Sequence, residues 1–256
     1  PTLGTLRVAG HDCDDEREEV CQRIGFMPET FHVYEDLRVY EYLQFFAGAY
    51  GIAAAERPKQ IEAVIELTDL GPRRDSLTRT LSKGMRQRLL LAKTLIHDPE
   101  VLLLDEPTSG MDPQARIEFR NIVRTLRKMQ KTVVISSHIL SDLSIICSSF
   151  GIMERGRLGI TGTLEEVSRA MKLKSEVRVD YLEGPVDALA ILRKYPLALD
   201  PHLANQKLRF FFDGTEEQKA EILKALVQGG VRVTRFEQKK HDLEDIFLQF
   251  GATRVQ

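Results

Sequence analysis

Three cysteines, Cys13, Cys21 and Cys147, stand in 256 residues, and none falls in a C-x-x-C pair. That is too few and too scattered for a disulfide framework, a zinc site or dithiol redox chemistry, so the thiols are expected to be reduced. No uninterrupted apolar run approaches the roughly 18 residues a membrane helix needs, and no basic-then-apolar leader opens the sequence. Any membrane role is therefore expected to come through a partner. An excess of one charge is lacking too: 36 Lys plus Arg face 38 Asp plus Glu, a net charge of -2. Such a balance gives no global field to recruit nucleic acid or acidic lipid. Repeats and low-complexity segments are absent. What is there, 43% hydrophobic and 29% charged residues, suits one large or two modest globular domains.

Thr5 to Gly10 is predicted as a strand and the acidic stretch Asp12 to Glu19 as a solvated helix or turn. Val39, Tyr42, Leu43, Phe46, Ala49 and Tyr50 recur at helical spacing, and Ile61, Val64 and Ile65 mark a second helix after Pro58. Met85, Leu89, Ala92 and Ile96 align on a third, which His97-Asp98-Pro99 breaks. The apolar run Val101 to Leu104 follows as a buried strand, then an amphipathic helix through Arg116 to Lys128 and a β-branched strand, Thr132 to Ile135. Strands alternating with helices predict an α/β fold with a parallel sheet.

Beyond Met171 the pattern changes. It gives a strand (Ser175 to Leu182), a helix (Val186 to Leu192), strands near Ala198 and at Leu208 to Phe212, a second helix, a strand (Val231 to Phe236) and a last helix near Leu243 to Phe250. The second helix opens at Thr215 with Gln218 three residues on, a reciprocal cap. This predicts a βαββαβ plait over 175–256, separate from residues 1–168.

The chemistry concentrates in Leu102-Leu103-Leu104-Asp105-Glu106-Pro107-Thr108-Ser109-Gly110-Met111-Asp112. Two carboxylates at the end of an apolar strand are costly to hold unpaired, and the segment alone reads either as a site for a metal and a water or as a strand ending in a turn with helix-capping acids. Asp105 suits Mg²⁺ bridged to nucleotide phosphates, and Glu106 suits a general base on the attacking water. Upstream, Leu81-Ser82-Lys83-Gly84-Met85 opens a helix, where a hydroxyl, free amides and the helix dipole make either an ordinary N-cap or an anion site.

In combination these segments resemble an ABC-type ATPase. Leu81 to Met85 is similar to its signature motif, Leu102 to Glu106 to Walker B and Ser109 to Asp112 to the D-loop. His138 stands where the family keeps a histidine against the γ-phosphate, and Ile24 to Glu29 resembles the Q-loop. The resemblance implies a P-loop-type cassette with a helical subdomain, followed by a small α+β ferredoxin-like plait. It implies ATP and Mg²⁺ as cofactors, with Glu106 and His138 catalytic and Asp105 and Glu29 holding the metal. Ser82, Lys83, Gly84, Met85 and Asp112 would bind nucleotide. The implied partners are a second ATPase subunit, paired head to tail so that Ser82 and Gly84 serve the partner's ATP, and a membrane permease subunit docked near the Q-loop. No nucleic acid is expected.

Three departures stand out. No G-x-x-x-x-G-K-[ST] occurs in these residues, and Gly151 to Leu158 mimics only its glycine spacing, which predicts a strand and a tight turn. Since the chain opens at Pro1 and its first ten residues resemble the strand after the P-loop helix, it is expected to be an N-terminal truncation, inactive alone. Glu29 replaces the usual Gln, and Lys83 replaces a Gly, either near phosphate or in solvent. The single cassette, Glu29 and the tail Asp242 to Leu248 resemble bacterial exporter subunits, peripheral on the cytoplasmic face of the plasma membrane. The alternatives are a soluble ABC ATPase acting on ribosomes or DNA, which would show two cassettes with a basic linker or a heptad insertion, and a non-catalytic regulatory cassette.

Overall fold

The computed structural model describes residues 2–253 except 31, 172, 174, 183–186, 205, 206, 213 and 240, with residues 251–253 as backbone only. Two compact units are present, Pro1–Ile146 and Cys147–Gln256.

The first unit opens with β1 (Arg7–Val8) paired antiparallel to β2 (His11–Asp12). Ala9 and Gly10, at φ 49 and 87, form the turn between them. The single strand expected over Thr5 to Gly10 is therefore a short hairpin, because the chain reverses where Gly10 tolerates positive φ. Helix α1 (Arg17–Arg23) leads into β3 (Ile24–Met27), and α2 (Val39–Ala49) and α3 (Arg57–Leu67) form the helical subdomain. Then come α4 (Lys83–Leu95), β4 (Val101–Asp105), α5 (Pro113–Lys128), β5 (Thr132–Ser136) and α6 (Leu140–Ile146).

Strands β3, β4 and β5 form a parallel sheet in that order, with Met27 beside Leu104, Leu104 beside Ile135 and Asp105 beside Ser136. One face, including Met27, Leu102 and Leu104, joins a core with Leu89 and Leu91 of α4 and Phe119, Ile122 and Leu126 of α5. On the other, Phe26 and Val134 are 53% and 55% exposed. Within β4, Leu102 and Leu104 are buried as expected for this run, and Val101 and Leu103 on the second face are half-buried. Helix α5 follows from its sequence: Asp112 caps it, Pro113 opens it, and Phe119, Ile122, Val123 and Leu126 make one buried stripe. Arg127 and Lys128 complement its C-terminal dipole. Buried Arg88 of α4 pairs with Asp69 after α3 and with Glu118 of α5, joining subdomain to sheet layer.

In the second unit β6 (Phe150–Glu154) and β7 (Arg157–Gly162) form a hairpin, its turn at Arg155 and Gly156 with φ 49 and 74. The P-loop-like glycine spacing there is a turn requirement. Helix α7 (Leu164–Ala170) carries a capping box between Thr163 and Glu166. There follow β8 (Ser175–Leu182), α8 (Ala188–Leu192), β9 (Ala198–Ala204), β10 (Lys207–Phe212), α9 (Glu216–Gln228), β11 (Arg232–Lys239) and α10 (Leu243–Thr253). The strand order β11-β8-β10-β9, antiparallel throughout, is the βαββαβ plait. Val177, Val179, Leu208 and Phe210 pack with Leu192 of α8 and Ile222 and Leu226 of α9. Val186, the expected start of α8, lies outside the described residues. Helix α10 does more than close the plait: Ile246 and Phe250 cluster with Ile152, Ile160 and Val167, and the Phe250 ring rests on bare Gly159. Residues 150–168, which the sequence groups with the first domain, therefore share a core with the last helix.

His97 shows how the first unit responds to acid. Its ring stacks on Tyr50 at 4.0 Å, Nε2 donates to the Ile24 carbonyl at 3.0 Å, and Nδ1 is buried with no hydrogen-bond partner among the described residues. Burial holds its pKa below the ordinary 6.5, outweighing the hydrogen bond to Ile24. The unfolded chain thus binds this proton more readily than the folded one, and stability falls as pH drops from about 6.5 toward the lowered folded value. Thermal unfolding across pH 7.5 to 5 is expected to show a shallower acid loss for His97→Gln than for the wild type. Identical slopes would remove His97 from that role.

Candidate functional site

The parallel register sets Asp105 and Ser136 side by side at the carboxyl ends of β4 and β5, the edge where open α/β sheets place their ligands. Ser136 Oγ donates to Asp105 Oδ1 at 2.5 Å and accepts from the Glu106 amide at 3.2 Å. The same amide donates to the Ser136 carbonyl at 3.1 Å. Glu106 is thereby held at φ 45, in the left-handed region a glutamate rarely occupies. From there its Oε2 lies 2.8 Å from His138 Nδ1. The carboxylate is 18% exposed and the imidazole 70%, so the pair forms a half-enclosed acid beside an open histidine.

Asp105, Glu106 and His138 are thus brought together. Ser82, Lys83, Gly84, Met85 and Asp112 form a second group, where the α4 and α5 N-termini converge. Ser82 Oγ accepts from the Met85 amide at 3.3 Å, and Asp112 Oδ1 accepts from the Ala115 amide at 2.9 Å. Both side chains are N-caps here. Lys83 lays its ammonium over Gly110, whose φ is 66, and Met85 packs against the core. Gly84 is buried where a Cβ would meet Ala115 Cβ at 3.0 Å, so the two helices approach closely there. Glu29 is exposed in the loop after β3, on the same sheet edge as Asp105. Among the described residues, no hydrogen bond or ion pair joins it to either group. Ser136 carries no signal in the sequence, since no motif marks its bond to Asp105.

The donor set suits a hard cation: a carboxylate and a hydroxyl supply oxygen ligands. Among the described residues no three acids, histidines or cysteines gather into a metal cage. That fits Mg²⁺, which takes one or two carboxylates and fills the remaining positions with phosphate and water.

A family model described as "ABC transporter" matches residues 1–109. Nod factor export ATP-binding protein I of Cupriavidus metallidurans is 31% identical over 259 residues, spanning 100% of this chain and 82% of that protein. The chain belongs to the ABC transporter ATP-binding protein family. The uncharacterized ABC transporter ATP-binding protein YhcH of Bacillus subtilis is likewise 31% identical, over 99% of this chain and 80% of its own length. A model for the C-terminal domain of DrrA1-3-like ATP-binding proteins matches residues 162–250. A solved ATP-binding subunit of an ABC transporter superposes with a TM-score of 0.60 at 29% identity, over 68% of this chain and 72% of its own. CbiO1 of Clostridium perfringens, part of the ABC transporter complex cbiONQ, shares the fold at a TM-score of 0.58 and 24% identity, over 67% and 72%. The ABC cassette fold expected from the sequence is therefore observed, and membership implies ATP binding and ATP hydrolysis in the intact proteins. No helix among the described residues is long and apolar enough to cross a membrane.

The tight α4–α5 approach yields a test. Gly84→Val is expected to destabilise the first unit by about 1–3 kcal/mol through overpacking. Gly84→Ala is expected to stay near neutral, since better helix propensity offsets a shift of a few tenths of an ångström at Ala115. Urea denaturation midpoints of the two variants check both.

Proposed function

We propose that this chain carries the hydrolytic and signature elements of an ATPase subunit that powers export through a separate permease subunit. One observation carries the reading: the Glu106 carboxylate, held 2.8 Å from His138, sits beside Asp105 at the carboxyl edge of a parallel sheet. Glu106 takes the proton of the attacking water as general base, and His138 orients it and contacts the γ-phosphate. Asp105, with Glu29 from the neighbouring loop, holds Mg²⁺, which when bound neutralises phosphate charge. Ser82, Lys83, Gly84, Met85 and Asp112 meet the nucleotide of a second subunit across a head-to-tail dimer, where the α4 N-terminus favours an anion. Similarity to a Nod factor export protein supports the export direction. We further assign the subunit to the cytoplasmic face of the plasma membrane, held there by its permease.

No G-x-x-x-x-G-K-[ST] occurs in the 256 residues, so the phosphate cradle is not assigned to any of them. A polypeptide limited to these residues is expected to show no steady Mg²⁺-dependent ATP turnover. In the full-length protein Glu106→Gln keeps shape and hydrogen bonding but cannot accept a proton. Turnover is expected to fall by roughly 10²- to 10⁴-fold with ATP binding retained. Phosphate release measured beside size-exclusion chromatography with Mg²⁺-ATP checks this. Near-normal release would leave Glu106 without the role of base.

Residues 1–168 are proposed as the cassette and 175–256 as an accessory domain for regulation or dimerisation. A cut at residue 175 strips Ile246 and Phe250 from Ile152 and Val167. Such a deletion is therefore expected to aggregate more than the intact protein, as light scattering would show.

A further inference from the structure

Two residues beyond Glu106 and four beyond His138, the same two chain segments meet again, now out of solvent. Thr108 Oγ1 donates to Asp142 Oδ2 at 3.3 Å, and Arg120 Nη2 of α5 lies 3.3 Å from Asp142 Oδ1. Thr108 and the Asp142 side chain are each 3% exposed. The two carboxylate oxygens thus bind two different elements, the turn after β4 and helix α5, while Asp142 itself belongs to α6. Burying this carboxylate carries a large desolvation cost before pairing, and among the described residues Arg120 Nε has no hydrogen-bond partner. An apolar trio would hold the helices together as well or better. Fixing a register is the best attested use of such a cluster.

The register at stake is local. Within the turn, the Ser109 amide donates to the Glu106 carbonyl at 3.0 Å and the Met111 amide to the Thr108 carbonyl at 3.2 Å, so fixing Thr108 fixes the backbone of Glu106. On the other segment, the Asp142 amide donates to the Ile139 carbonyl at 3.0 Å and the Ile139 amide to Ser137 Oγ at 3.0 Å, so fixing Asp142 fixes the residues flanking His138. We propose that Asp142 is a positioning residue for the hydrolytic pair, clamping the Glu106 turn and the His138 segment to one another and to α5. This rests on reading Glu106 as the general base.

The test is backbone amide exchange on the full-length protein without nucleotide, for Asp142→Asn, Thr108→Val and Thr108→Ser. Losing one buried bond to a charged group is expected to speed exchange about tenfold or more over 106–112 and 137–143 together, with β3 to β5 unchanged. Thr108→Ser, which keeps the hydroxyl, is expected to exchange like the wild type. In phosphate release, Asp142→Asn is expected to lower kcat while KM for ATP stays within about twofold. Acceleration confined to α6, spread evenly through the first unit, or absent from both segments would overturn the proposal. If Glu106→Gln turned over normally while that exchange pattern appeared, the base assignment would fall and the mechanical coupling of the two segments would stand.

Discussion

The register of β4 against β5 is the constraint on which the site depends. Parallel pairing that sets Asp105 beside Ser136 makes the two chain segments leave the sheet together. They stay together for several residues. Ser136 bonds Asp105, His138 meets Glu106 and Asp142 reaches Thr108, so each contact advances along both segments in step. A one-residue slip of either strand would turn Asp105 or Ser136 to the opposite face and set the following residues out of reach of one another. The apolar row of Leu102 and Leu104, packed on α4 and α5, prevents that slip and so positions the polar chemistry from the core.

Most of the fold was legible because its signals are periodic or steric. The α5 stripe, the Thr215 box and the plait strands all rest on spacings that a linear sequence displays. The Thr5 to Gly10 strand misled because alternation over so few residues carries little weight beside one Gly at φ 87. The apolar run of β4 marked a strand whose Leu102 and Leu104 are buried, while how far its second face is covered is not something a single strand displays. The extent of the second unit escaped because Ile246 and Ile152 are neighbours only after the chain has crossed the whole plait.

For the site, Asp105 and Glu106 stood out because charge at the end of an apolar run is chemically conspicuous, whereas His138 was marked only by the resemblance to the family. Ser136, Thr108, Arg120 and Asp142 did not. Serine and threonine are common in turns, and Asp142 reads as an ordinary acid in the first turn of a helix. What distinguishes them is a pairing between segments more than 30 residues apart, which no local pattern encodes. Likewise, Gly84 belongs to a motif with a ligand-facing reading, yet here its missing side chain serves helix packing against Ala115.

Glu106 at φ 45 has a consequence for how this protein tolerates change. A left-handed backbone is easiest for glycine and costs a branched or extended side chain about 1 kcal/mol. A screen for thermal stability alone would therefore tend to enrich Glu106→Gly, relaxing the backbone while discarding the proposed base. Selection for robustness and selection for turnover pull this residue in opposite directions, as is common where a strained backbone carries chemistry. Attempts to harden the protein should hold position 106 fixed and look for gains elsewhere.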